Sequence, residues 1–139
     1  MLPEDFGKGN SIVLNIYSME EVAQTAERIQ QFCECQGMSA KTAAHAGLCL
    51  EDITGNIARH GFGADRKPHR IEVRAAFLPE GVLLRVKDDC IPFNPQEWHD
   101  ITKPADECEN VGIRLVYGIA KEVEYRNLLG LNVLSITIV

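Results

Sequence analysis

Three groups of polar residues in this chain have the type and spacing to do chemistry. In Glu51-Asp52-Ile-Thr-Gly-Asn56-Ile-Ala-Arg-His60, Asp52 and Asn56 lie four apart, so a helix would place them on one face with His60 a turn further on. Glu51 is turned about 100° away from Asp52 and stands outside that face. A carboxylate and an amide one turn apart offer two oxygen ligands, or one base and one ligand, which suits a hydrated Mg²⁺ carrying phosphates. The bland alternative is a solvated helix face. Asp88 closes the run Val82-Leu-Leu-Arg-Val-Lys-Asp88 in phase with Val82, Leu84 and Val86, so strand parity points it inward, while Asp89 follows Arg85 and Lys87. An inward carboxylate needs hydrogen-bond partners, either a ligand's amino group or backbone N–H groups of the turn at Cys90–Phe93. In Glu109-Asn-Val-Gly112-Ile-Arg-Leu-Val116, a polar loop ends in glycine at a helix start, where free N–H groups favour an anion.

The elements that must hold these groups are legible from periodicity. Residues 11–17 are β-branched and mildly alternating, a strand. Ser18-Met-Glu-Glu21 reads as a capping box, and Val22, Ala26, Ile29 and Cys33 recur at helical spacing until Gly37. Ser39 caps a second helix with the stripe Ala43, Ala46, Leu50, Ile53 and Ile57, ending near His60-Gly61. Alternation over 71–77 and from Val82, a turn at Pro79-Glu-Gly81, and strands near 122–127 and 132–139 around Leu129-Gly130 complete the pattern. Between them, 92–111 reads as a long irregular connection, and Gly112 opens a third helix to about Lys121. Loops that long inside compact domains are usually functional. The order β-α-α-β-β-loop-α-β-β predicts an α+β two-layer sandwich: one mixed, mostly antiparallel sheet with about three helices packed on one face.

With 139 residues, 45% hydrophobic and 24% charged, the chain has the composition of one soluble globular domain. Residues 1–10 are expected to be a flexible N-terminus. Fourteen basic against twenty acidic residues give a net charge of −6, which disfavours direct nucleic-acid binding. No run nears the roughly 20 apolar residues of a spanning helix, and the acidic, Pro3-broken start is unlike a signal peptide, so a cytoplasmic location is expected. Five cysteines without paired spacing read as reduced thiols. His45, His69 and His99 show no ligand spacing and are expected at the surface.

In order, these segments resemble the Bergerat-fold, histidine-kinase-like ATPase superfamily, and within it the anti-sigma regulatory factors with serine/threonine-protein-kinase activity. Leu50-Glu-Asp-Ile-Thr-Gly-Asn56-Ile-Ala-Arg-His60-Gly-Phe62 resembles that branch's N-box. Val86-Lys-Asp88-Asp-Cys-Ile-Pro92-Phe93-Asn-Pro95 is similar to its adenine box, and Gly112-Ile-Arg-Leu-Val116 with the last hairpin to its closing helix and strands. The resemblance implies ATP and Mg²⁺ as cofactors. It implies that Asn56 ligates the metal, Asp52 accepts the proton of the attacking hydroxyl, and Asp88 receives the adenine amino group. Phe93 and Ile113 would wall the base, 95–111 would be the ATP lid, and Gly112 with the following residues to Leu115 would meet the nucleotide. It further implies a STAS-type antagonist or a sigma factor as partner, and by analogy alone a homodimer. The chain departs from the family at Asp52, one methylene shorter than the usual Glu, and at Cys90, Glu109 and Asn110, where glycines are common. The alternative reading is therefore a non-catalytic or degenerate interaction module with vestigial nucleotide binding. A third is the catalytic domain of a sensor histidine kinase, whose dimerisation helix is not found in the sequence.

Overall fold

The computed structural model describes residues 11–92 and 115–139. Phe93, Gly112, Ile113 and the expected lid 95–111 therefore lie outside the described residues, as do residues 1–10. The element order is β1 (Ser11–Ile16), α1 (Glu20–Cys35), α2 (Ala40–Gly61), β2 (Ile71–Leu78), β3 (Gly81–Asp88), a helical stretch at 115–119, β4 (Glu122–Leu128) and β5 (Leu131–Ile138). The strands form one sheet ordered β1-β2-β3-β5-β4. Every pairing in it is antiparallel, so the mixed character expected of the sheet is not found among the described residues. The cause is topological: β2 and β3 form one hairpin, β4 and β5 another, and the chain crosses to the outer position at β4 before returning as β5 beside β3.

The sheet buries one face. Val73 of β2, Val86 of β3 and Leu134 of β5 lie in one cross-strand row, with Ala75, Leu84 and Ile136 in the next; all six are buried. Helix α2 lies over β3 and β5, and α1 over β1. The stripe expected on α1 (Val22, Ala26, Ile29, Cys33) is buried, as is the whole α2 stripe. The second helix buries more than that stripe. Gly47 faces α1 so closely that a Cβ there would come 3.0 Å from the Gln30 side chain, whereas one on Gly55 would make ordinary contact with Val22 at 3.9 Å. Helix α2 is thus packed against the sheet on one side and α1 on the other, and Gly47, Gly55, Asn56 and Ala58 are buried as well.

The termini follow local hydrogen bonding. Ser39 Oγ accepts from Thr42 N–H at 3.1 Å, as expected of an N-cap. The capping box at α1 forms differently: the Glu21 carboxylate reaches back to Tyr17 N–H at 2.9 Å and accepts from Ser18 Oγ at 3.3 Å. The helix begins at Glu20, so Glu21 sits too early in the first turn to close a reciprocal box. Gly37 has φ +83° just past α1, the left-handed stop that glycine provides.

Leu129 and Gly130 join β4 to β5 with φ of +53° and +81°, the backbone of a two-residue turn with both central residues left-handed. A leucine there carries about 1–2 kcal/mol of steric cost, and this one is fully exposed. Leu129→Asn is therefore expected to stabilise the domain by about 1 kcal/mol, a rise of roughly 4 °C in a thermal melt; an unchanged or lower melting temperature would contradict the strain.

Candidate functional site

The site is built on the second half of α2 and the end of β3. Asp52 is half-buried and Asn56 is buried, so the alternative of a fully solvated face does not describe these two residues. Burial pushes the Asp52 carboxyl above its ordinary range, with Glu51 adding repulsion and Arg59 partly opposing both. An acid shifted upward by desolvation is a stronger proton acceptor when ionised, the property a general base needs. Asn56 Oδ1 accepts from Arg59 Nη1 at 3.2 Å. Arg59 is a site residue the sequence reading passed over, although its i,i+3 spacing from Asn56 signals the contact.

Asp88 is 4% exposed, as strand parity requires. Its Oδ1 accepts from Cys90 N–H and from Asn132 Nδ2, both at 2.9 Å. Burial is the largest influence on Asp88 and raises its pKa against these hydrogen bonds. Asn132 is itself buried. It donates to the Cys90 carbonyl at 3.1 Å, and its Oδ1 accepts from Tyr125 Oη at 2.5 Å and Asn127 Nδ2 at 2.9 Å. A polar network thus ties the end of β3 to the last hairpin. Asn132 was missed in the sequence because its partner lies 44 positions away; its phase with Leu134 and Ile136 was the available signal.

The two halves meet where α2 ends. A Cβ on Gly61 would stand 2.5 Å from Cys90 Cβ and 2.6 Å from its sulfur. Cys90 is 5% exposed and belongs to the core, and burial with the Asp88 and Asp89 charges pushes its thiol up to about 12. The Cys90 side chain is thus in contact with the helix end. At 1.5 Å of rise per residue, Asn56 lies about 7.5 Å and Asp52 about 13 Å back along the helix from this junction. Leu115 is the first described residue of the helical stretch 115–119 and is 38% exposed.

His69 corrects another expectation. Its side chain is only 8% exposed, held by Asp65 at 2.7 Å through Nε2 and by Asp89 at 3.2 Å through Nδ1. The fold brings Asp89 to it from 20 residues away, which no local spacing reveals.

Comparison with known proteins adds to this geometry. Residues 18–138 match the family model of the histidine kinase-like ATPase domain. Among solved structures, the histidine kinase domain of a blue-light activated histidine kinase from Erythrobacter litoralis EL346 is similar in fold, with a TM-score of 0.54 and 21% identity over 84% of this chain. The match spans 60% of that domain's length. No curated protein sequence matches the chain. Among the described residues no helix is long and apolar enough to cross a membrane.

The junction is testable directly. Gly61→Ala is expected to cost about 1–3 kcal/mol by overpacking against Cys90. Cys90→Gly should lower stability in the wild-type chain yet raise it in the Gly61→Ala chain; additive effects in a denaturation cycle would contradict the contact.

Proposed function

Because the chain belongs to the histidine kinase-like ATPase domain family, we propose that it binds ATP with Mg²⁺ and transfers the terminal phosphoryl group to a protein hydroxyl, as an anti-sigma-factor-type serine/threonine kinase. The observation that carries the reading is Asp88, a carboxylate buried at the mouth end of β3 and oriented through Oδ1 by Asn132 and the Cys90 amide. Burying such a group is costly unless it is fully partnered, and a held carboxylate facing the helix layer is suited to accept the amino group of adenine.

The remaining residues fit the rest of the ligand. Asn56 would offer an uncharged oxygen ligand to Mg²⁺ in place of the hydrogen bond it accepts from Arg59, and Arg59 would carry positive charge beside the phosphates. The metal supplies neutralisation of phosphate charge. Asp52 accepts the proton of the attacking hydroxyl as its oxygen bonds to the terminal phosphorus and the bond to the departing ADP breaks. The acceptor we propose is a serine of a STAS-type antagonist, with a sigma factor as second partner. That assignment rests on the likeness of His60-Gly61-Phe62 and of the Asp88–Pro95 segment to that branch.

Calorimetry with ADP or ATP and Mg²⁺ tests the reading; absence of binding at millimolar nucleotide would overturn it in favour of a degenerate module. Asp88→Asn preserves both acceptor bonds at Oδ1 but presents an amide in place of the second carboxylate oxygen, so nucleotide affinity should fall at least tenfold. The same variant should be as stable as the wild type or more stable at pH 7. Asp88 has a raised pKa in the fold, so its ionised form opposes folding at high pH, and that penalty is relieved as pH falls through the folded pKa. The stability gain should accordingly shrink on acidification; a variant less stable at pH 7 would mean the carboxylate serves the fold and not a ligand. Asp52→Asn should leave nucleotide affinity within a few-fold and slow transfer to a STAS acceptor about 10²–10⁴-fold; undiminished transfer would remove Asp52 from the mechanism.

A further inference from the structure

A second cluster of chemistry-bearing side chains sits beside the Asp88 turn and has no role in the nucleotide reading. We propose that His69, Asp89 and Cys90 form a binding site for a zinc-class divalent ion, with Asp65 as the carboxylate that orients the histidine.

The donor atoms of the three residues all lie within 4.8 Å of one another. His69 Nδ1 and Asp89 Oδ1 are 3.2 Å apart. Two ligands with metal bonds of about 2.0–2.1 Å in a tetrahedral arrangement are separated by about 3.3–3.4 Å, so this edge of the site is already set. The Cys90 sulfur closes the third corner after a shift of at most about 1–1.5 Å, and a water or an external ligand takes the fourth. The mixture of imidazole nitrogen, thiolate sulfur and one carboxylate is the donor set of zinc rather than of Mg²⁺, which demands oxygen.

The supporting groups are also in place. Asp65 holds Nε2 of His69 at 2.7 Å, the carboxylate–histidine arrangement that fixes the tautomer and leaves the other nitrogen to the metal. Asp65 is anchored in turn by Lys67 N–H at 2.9 Å, and Asp89 Oδ1 accepts from Arg70 N–H at 3.2 Å. Burial, and then the charges of Asp88, Asp89 and Asp65, resist ionisation of the thiol; the same negative field favours a cation placed there. Cys90 and the His69 ring are nearly enclosed, whereas the Asp89 side chain is 46% exposed, so the ion would enter past Asp89. Binding replaces the proton on the Cys90 sulfur and any proton on His69 Nδ1, both released to solvent, while the Nε2 proton stays toward Asp65; affinity therefore rises with pH.

The test is titration of the whole chain, carrying Cys35→Ser and Cys108→Ser so that those thiols cannot contribute, with Co²⁺ as a spectroscopic probe and then with Zn²⁺. One equivalent of Co²⁺ should bind with a near-ultraviolet thiolate charge-transfer band, and Zn²⁺ should displace it. Cys90→Ser should abolish the band while leaving the circular dichroism spectrum native. His69→Ala should weaken binding at least 100-fold, and Asp65→Asn, which keeps all three donors, about 10- to 100-fold. Absence of saturable binding, or a band that survives Cys90→Ser, would overturn the proposal. Nucleotide enters no arm of the experiment, so its failure leaves the ATP reading untouched, and the reverse holds.

Discussion

A carboxylate taken out of water at the end of β3 constrains much of the rest of this domain. Asp88 is buried because it continues the inward phase of Val82, Leu84 and Val86, and a buried carboxylate persists only with hydrogen-bond donors in contact. One donor is local, the Cys90 amide. The other, Asn132, comes from the opposite strand of the register, where Asp88 pairs with Asn132 and Asn132 with Asn127. A slip of one residue of β5 against β3 would turn Asn132 to the outer face and leave Asp88 without its cross-strand donor. The polar row therefore fixes the register of the last hairpin, while the apolar rows beside it supply the burial energy.

The consecutive residues Asp88, Asp89 and Cys90 separate three tasks by direction alone. Asp88 turns inward to Asn132, Asp89 outward to His69, and Cys90 against Gly61 at the end of α2. This turn is where the sheet, the second helix and the 62–70 connection are joined. Its backbone is held at both polar groups of Cys90, the N–H by Asp88 and the carbonyl by Asn132. Such double anchoring reduces the freedom of the turn, which would lower the ordering cost of binding any ligand there.

Periodicity in the sequence was enough to locate every described strand and both long helices, because each buries one face and the 2.0 and 3.6 periods survive in the residues themselves. It also placed Asp88 inward. What it could not carry were contacts between positions far apart in the chain: Asn132 with Asp88, and His69 with Asp89. Local geometry failed in two instructive places. Glu21 matched a capping box in spelling but sits one position early relative to the helix start, so it bonds to Tyr17 instead. Asn56 is buried although it lies beyond the apolar stripe of α2, where its spacing alone would leave it in water.

The same argument bears on why a cysteine can stand where a glycine is common in this family's adenine box. A side chain at position 90 must go somewhere, and the absence of a Cβ at Gly61 provides the space: the helix end lacks the atom that the turn has gained. The two positions act as a complementary pair, and their combined volume, more than either identity, is what the junction requires. With its side chain packed against the end of α2, Cys90 still offers its backbone N–H to Asp88, and its thiol hydrogen-bonds the same carboxylate. The substitution thereby changes the chemistry available at the turn, adding a thiol beside two aspartates and a histidine, without disturbing the hydrogen bonds that hold the carboxylate at the centre of the site.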